Sequence, residues 1–234
     1  MIPAIILAGG FGTRLRPVLP DTPKALAPVG GRPFLAHQID WLAEQGVTRV
    51  VLAVHHLAEQ IEAFARSVTG VRPGVHIDIV RETEPLGTGG AIVNAIARAA
   101  IDGDVLVVNG DTHFSFALAP VLDKHRTASA TLVAARVADV ARFGTVLLDG
   151  DRVTGFLQAS GDRQPGLVNA GAYVFHPSVF ADAPSGAFSL EKDFFPALAA
   201  RGGLHAHVID GAEAFFDIGT PESYAAFRSR DPAP

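Results

Sequence analysis

The segment IILAGGFGTRLRP, Ile5–Pro17, decides how the chain folds. The apolar run Ile2–Ala8 is short and ends in glycine, which reads as a buried strand. Gly9–Pro23 follows as a loop: it holds three glycines by Gly12, and Pro17 and Pro20 prevent a helix nearby. Outward from this stretch the pattern repeats. Pro33–Gln45 reads as a helix, with proline at its start and Gly46 past its end. Arg49–Val54 reads as a second buried strand, Leu57–Ser67 as a helix, and His76–Val80 as a third strand. Gly87–Ala100 is an alanine-rich helix entered through glycines, and Asp104–Val108 is a strand that stops at NGD. Strand alternating with helix over the first 110 residues predicts a mostly parallel sheet covered on both faces.

Beyond that point the pattern changes. Ala128–Arg136, Thr145–Leu148, Arg152–Phe156 and Leu167–Phe175 read as strands joined by turns, which predicts antiparallel additions. SGDRQPG (160–166) is a polar loop. Leu190–Ala200 reads as a helix, Leu204–Ile209 as a strand and Pro221–Phe227 as a short helix, with a frayed RDPAP at the end. The expected fold class is α/β: a Rossmann-like mixed, mostly parallel sheet with helices on both faces and antiparallel additions. No linker divides it, so residues 1–234 are expected to form one domain.

Composition narrows the function. At 234 residues and 48% hydrophobic, the chain can build a large core. A net charge of −5 provides no global field for DNA or an anionic membrane, so any phosphate must be held by local groups. The absence of cysteine excludes disulfides and thiolate metal sites. Residues 2–8 are too short to span a membrane and lack the charged flank and cleavage site of a signal peptide. A cytoplasmic protein is expected.

The glycine loop fits neither familiar phosphate motif. A Walker A loop needs G-x-x-x-x-G-K-[ST], which is missing. A dinucleotide fingerprint needs a third glycine where Leu15 stands. A plain glycine turn is the unspecialised alternative. Against it stand the residues that follow: Gly9, Gly10 and Gly12 let backbone N–H groups approach phosphate, Thr13 adds a hydroxyl, and Arg14 adds a planar fork. Lys24, one of only three lysines, sits behind a proline in DTPKAL. Together these make a triphosphate cradle. Two carboxylates suit a Mg²⁺ ion on those phosphates: Asp111, where a strand ends, and Asp217, after the strand EAFF. Either aspartate could otherwise cap a turn.

AGGFGTRL (8–15) followed by PKALAPVGGRPFL (23–35) resembles the sugar-1-phosphate nucleotidylyltransferases. EPLGTGGA (84–91), VVNGDT (107–112), RFGTV (142–146), VNAGAYVF (168–175) and FFDIGTPESY (215–224) match that family in its order. Within the family, the short D-glycero-α-D-manno-heptose 1-phosphate guanylyltransferases are the most similar. The resemblance implies the nucleotide-diphospho-sugar transferase fold, and transfer of a nucleoside monophosphate, from GTP, to a sugar 1-phosphate with pyrophosphate released. It implies catalytic roles for Arg14, Lys24 and Asp111, and Mg²⁺ on Asp111 and Asp217. The nucleotide would meet Leu7, Ala8, Gly9, Gly10, Gly12, Thr13, Arg14, Lys24, Glu82, Gly87 and Thr88. Glu82 could accept from the adjacent N1–H and N2–H₂ of guanine, or be a solvated strand-end charge.

On the sugar side the resemblance implies Gly144, Gln158, Asn169 and Lys192. Here the chain departs from the family. A Glu-Lys pair expected after Arg152–Phe156 is replaced by Gln158 and Ala159, and alanine cannot hold phosphate. Lys192, in SLEKDFF, or Arg163 is the candidate replacement; Lys192 could equally be a solvated helix lysine. The expected partners are a nucleoside triphosphate and a sugar 1-phosphate, with a homodimer allowed, and neither nucleic acid nor a membrane. The nine histidines are read as packing or surface residues. The chain ends soon after the family's core, so a β-helical extension and a second activity are not expected. Other readings stay open: a mannose, glucose or N-acetylmuramate 1-phosphate enzyme, a glycosyltransferase, or a regulatory paralogue that binds nucleotide sugar without turnover.

Overall fold

A computed structural model describes residues 1–68, 74–159, 161, 163–210 and 214–230. Part of the polar loop at 160–166 and all but the first residue of RDPAP lie outside them. The chain opens with β1 (Ala4–Leu7), then a short ladder of β2 (Pro28–Val29) and β3 (Arg32–Pro33), and α1 (Phe34–Glu44). β4 (Arg49–Val54), α2 (Ala58–Val68), β5 (His76–Arg81), α3 (Gly87–Arg98) and β6 (Val105–Asn109) continue the expected alternation. β7 (Thr112–Phe114), α4 (Ala119–His125), β8 (Ala130–Val137), β9 (Thr145–Asp149), β10 (Arg152–Leu157) and β11 (Gly166–Phe175) follow. The chain then runs through α5 (Phe195–Ala200), β12 (His205–Asp210), β13 (Phe215–Asp217) and α6 (Pro221–Arg230).

Nine strands form one mixed sheet in the order β5-β4-β1-β6-β11-β8-β12-β10-β9. β5, β4, β1 and β6 are parallel to one another. β11 enters antiparallel to both β6 and β8, and β12 runs parallel to β8. The expected class is therefore met, with the antiparallel additions following the parallel half. Burial on both faces explains the unbroken apolar strands. Ile6, Leu52 and Leu106 face one core with α1 and α2, while Ile5, Val51 and Val107 face another with α3 and α5.

Four features differ from the sequence reading. α4 was not expected: it has only seven residues and follows the loop residues Ser115–Leu118. The strands β2, β3 and β7 are two or three residues long and carry no periodicity to read, whereas β13 falls on the expected strand EAFF. The helix expected over Leu190–Ala200 begins as a wide π-type turn, Leu190–Phe194, before α5. The first strand is also shorter at both ends than Ile2–Ala8.

The sheet order reverses at β1: β4 lies on one side and β6 on the other. Such a switch point opens a crevice at the carboxyl ends of the strands. Gly110 lets it close tightly, because a Cβ there would lie 2.5 Å from the Leu7 carbonyl oxygen. Gly110→Ala is expected to destabilise the fold by about 1–3 kcal/mol, since a rigid backbone atom blocks the methyl. Gly103→Ala, whose Cβ meets nothing within 4 Å, should change stability by less than about 0.5 kcal/mol. Denaturant unfolding of the two variants checks the contrast.

Candidate active site

The glycine loop leaves β1 at the switch point and turns at Gly12, whose φ is +58°. The Gly12 carbonyl accepts from the N–H groups of Leu15 and Arg16, at 2.9 and 3.2 Å. Leu15 is 2% exposed and shares an apolar cluster with Val29, Phe34, Ile218 and Tyr224. This anchor leaves Thr13 and Arg14 exposed. It also joins the neighbour of Arg14 to the neighbour of Asp217, so the loop and the second acid are held by one apolar contact region. Lys24 follows Pro23 and opens a short 3₁₀ turn, Lys24–Leu26.

Asp111 sits in the tight turn between β6 and β7. Gln38, buried on α1, clamps that turn: its Nε2 donates to the carbonyls of Asn109 and Thr112, both at 2.8 Å. The Ile218 N–H donates to the Asp111 carbonyl at 2.9 Å. β13 pairs with β7 so that Asp217 lies opposite Thr112. Two carboxylates from distant segments thus stand side by side. The Lys24 ammonium donates to the Asp111 carboxylate. Asp217 accepts from the Gly219 N–H, and a Cβ on Gly219 would lie 2.9 Å from Lys24 Nζ. Burial and the Asp111 charge raise the Asp217 pKa, while Lys24, the Gly219 N–H and Arg14 oppose the rise. Arg14, although exposed, therefore acts on the acid pair.

Beside this cluster lies a cavity of about 290 Å³. Leu7, Ala8, Gly9, Gly10, Lys24, Glu82, Gly87, Thr88 and Asp111 line it, so nine of the expected residues are brought together. Gly12, Thr13 and Arg14 continue the loop outside its wall, and Asp217 stands behind Asp111. Glu82 is 7% exposed and is not a solvated strand-end charge. Its Oε2 accepts from the Leu86 N–H at 3.0 Å. Burial raises its pKa; that N–H and His55 pull the other way. Gly87 has φ +67°, and a Cβ there would meet the Phe188 carbonyl at 2.5 Å. The Thr88 hydroxyl accepts from the Leu190 N–H at 2.8 Å, so it braces the turn that follows Phe188.

The sugar-side candidates lie outside this cavity. Asn169 donates to the Tyr173 hydroxyl at 2.8 Å and accepts from the Gly171 N–H at 3.0 Å. Gly144 is exposed, and Gln158 and Ala159 are exposed just past β10. Arg163 is exposed, 3.5 Å from an Asp139 carboxylate oxygen. Lys192 is exposed on the first turn after Ser189, where its N–H donates to the serine hydroxyl at 3.2 Å.

Phe11 and His55 are among the lining residues that the sequence reading did not name as site residues. Phe11 packs edge-on to His55, with ring centroids 5.7 Å apart. His55 lines the cavity, and its Nδ1 lies 3.2 Å from the Glu82 carbonyl. A carbonyl can only accept, so the ring donates from Nδ1 in this contact. Its position after a parallel strand was the available signal. Among the described residues, no group of three or more His, Cys, Asp or Glu side chains could hold a metal ion, His205 and His207 included. The Asp111–Asp217 pair nevertheless fits Mg²⁺, which takes one or two protein carboxylates and completes its shell with phosphate oxygens and water.

Known proteins extend the picture. The family described as nucleotidyl transferase matches residues 3–232. The chain is 38% identical over 227 residues to the mannose-1-phosphate guanylyltransferase of Mycobacterium tuberculosis, covering 95% of this chain and 62% of that protein. It thus spans about three-fifths of the length of such mannose-type relatives. It is 36% identical to the D-glycero-alpha-D-manno-heptose 1-phosphate guanylyltransferase of Aneurinibacillus thermoaerophilus, covering 94% of each. The crystal structure of HddC from Yersinia pseudotuberculosis superposes with a TM-score of 0.87 at 32% identity, over 98% of this chain and 99% of that one; HddC is also solved in complex with GMP-PN.

The acid pair generates a stability prediction. An acid whose pKa is raised by folding favours the folded state at low pH, and that advantage is lost as pH rises through the folded pKa. Asp217 is such a group. Asp217→Asn keeps an acceptor for the Gly219 N–H but cannot ionise. The metal-free variant is expected to be at least as stable as the parent near neutral pH, with a flatter fall in Tm from mildly acidic to neutral pH. Thermal unfolding in chelator across that range checks it, and a steeper fall in the variant would contradict it.

Proposed function

The chain belongs to the nucleotidyl transferase family, and on that premise we propose that it joins a sugar 1-phosphate to the nucleoside monophosphate of GTP, releasing pyrophosphate. The observation that carries this reading is the cluster of Arg14, Lys24, Asp111 and Asp217 beside the cavity at the β1–β6 switch point. A phosphate oxygen of the sugar 1-phosphate attacks the α-phosphorus. The bond from that phosphorus to the bridging oxygen of the leaving group breaks, and pyrophosphate departs with the electron pair. The nucleophile is already an anion, so no covalent enzyme intermediate is needed. The residues position the two anions and stabilise charge.

Each residue has a distinct part. Gly9, Gly10, Gly12 and Thr13 bring main-chain N–H groups and a hydroxyl to the triphosphate. Lys24 holds phosphate oxygens. Arg14 stabilises the five-coordinate phosphorus and the departing pyrophosphate. Asp111 and Asp217 would hold Mg²⁺, which supplies charge neutralisation between the phosphates when bound. Glu82, buried with a free carboxylate edge toward Gly9, accepts from N1–H and N2–H₂ of guanine. Gly144, Gln158, Asn169 and Lys192 face the sugar phosphate, with Lys192 making good the cation missing at Ala159. The proposed sugar is D-glycero-α-D-manno-heptose 1-phosphate, supported by the relative that matches over 94% of both lengths. Mannose 1-phosphate is the second reading, supported by the 38% identity to the mycobacterial enzyme. The cytoplasm, which supplies triphosphates, is the proposed compartment. No described helix is long and apolar enough to cross a membrane.

Arg14→Ala should lower kcat by about 10²–10³, the usual cost of removing one donor to a charge that develops in the transition state, with nucleotide affinity much less changed. Pyrophosphate release under saturating substrates checks it; parental turnover would reject the role.

Substrate choice is decided by a panel of five triphosphates against heptose, mannose, glucose and N-acetylmuramic acid 1-phosphates. The expected result is GTP with the heptose phosphate. Because burial raises the Glu82 pKa, KM for GTP should also rise as pH falls and the carboxylate protonates. Preference for another base overturns the Glu82 assignment. Nucleotide-sugar binding without turnover of any pair identifies a regulatory paralogue instead.

A further inference from the structure

Of the described phenylalanine, tyrosine and tryptophan side chains, Phe11 alone is exposed, over 47% of its surface. The others all belong to the three apolar clusters or pack against them. One exposed apolar side chain needs no explanation by itself. Phe11 is set apart by where it stands, because it lines the cavity beside the acid cluster.

The backbone that carries it is pinned. The Ala8 N–H donates to the Ala53 carbonyl at 2.9 Å, and the Gly9 carbonyl accepts from the His56 N–H at 3.4 Å. A Cβ on Gly9 would lie 3.1 Å from the His55 nitrogen and 3.3 Å from Glu82 Oε1. The loop therefore passes close to both His55 and Glu82, and Phe11 follows two residues later. Its ring stands edge-on to His55 and tilted against His56, with centroids 5.7 and 5.4 Å apart. His55 in turn meets the Glu82 carbonyl through Nδ1 at 3.2 Å. Phe11, His55 and Glu82 thus make one corner of the cavity. Glycines flank the ring on either side, and a Cβ on Gly10 would meet nothing within 4 Å, so that side of the loop is open.

This corner combines a flat apolar face with a buried carboxylate. A phosphate gains nothing from a phenyl face, which is itself electron-rich. A nucleobase offers the complement of both: a planar face for the ring, and N–H groups along its edge for the carboxylate. Deepening the function proposed above and resting on it, we propose that Phe11 is a specificity-determining residue on which the base of the nucleotide stacks. His55 holds the ring edge-on, and Glu82 takes the edge of the same base. Stacking favours the larger face of a purine, and the edge contact then separates guanine from adenine. One loop so carries both ends of the nucleotide, with main-chain N–H groups for the phosphates and Phe11 for the base.

Calorimetry of the full chain with Mg²⁺ tests this, using GTP and ribose 5′-triphosphate, which has the same phosphates and no base. Phe11→Ala should weaken GTP roughly 5- to 150-fold, the usual range for one base on one aromatic ring. Ribose 5′-triphosphate should bind parent and variant within about twofold, because the ring meets only the base. Phe11→Tyr should keep parental affinity for GTP, whereas Phe11→Leu, apolar but without a π face, should not. Phe11→Trp adds a fluorophore to the buried Trp41, and GTP should quench its emission while ribose 5′-triphosphate leaves it unchanged. Equal losses for both ligands in Phe11→Ala would make Phe11 a support of the phosphate loop and overturn the proposal. Unchanged GTP affinity in Phe11→Ala, or full affinity in Phe11→Leu, overturns it as well. A parent that prefers another triphosphate, or binds nucleotide without releasing pyrophosphate, fails the function proposed above and not this one. The same comparison run with the preferred nucleotide then judges Phe11, and equal weakening with and without the base rejects it. Binding of no triphosphate rejects both.

Discussion

The contact between Lys24 and Asp111, with Asp217 alongside, is the constraint on which the rest of the structure depends. Two carboxylates and one ammonium in a partly buried crevice are not neutral, and the raised Asp217 pKa reports the imbalance. A buried acid pair is held together only where the surrounding structure leaves it no other position. Here the backbone does so three times over. Gln38 fixes the turn at Asp111, the Ile218 N–H ties β13 to that turn, and Leu15 packs the glycine loop into the cluster beneath. Even with Lys24 and Arg14 acting on it, Asp217 keeps a raised pKa, and such crowded acids cluster at functional sites.

The same constraint explains why glycine crowds the site. Gly110 brings β6 against Leu7, Gly219 gives Asp217 and Lys24 room to approach, and Gly87 lies against the Phe188 carbonyl. In each place a Cβ would strike backbone or a site-forming side chain. The cavity is thus made largely by main-chain proximity, and its shape follows from the sheet's switch point and not from any one side chain.

Much of this was legible in the sequence because it rests on patterns with few alternatives. The buried strands Arg49–Val54 and Leu167–Phe175, the glycine loop and the Asp111 turn each carry a local signal. Of the short ladder that sets Asp217 beside Thr112, EAFF reads as a strand, but β7 does not: three residues are too few for alternation to show. His55 was passed over because a histidine after an apolar run has no motif of its own, and its role appears only once β4 and β5 are adjacent. Glu82 could be placed at a strand end but not declared buried, since its enclosure comes from the Leu86 turn and Gly9.

The two halves of the cleft are therefore held to different standards. Around the cavity, a Cβ at Gly9, Gly87 or Gly110 would crowd backbone, and the fold resists it. Away from it, Gly144, Gln158 and Lys192 are exposed, and most changes of side chain there cost little stability. Under the function proposed above, the proposed sugar contacts can therefore change at less cost to the fold than the residues that shape the cavity.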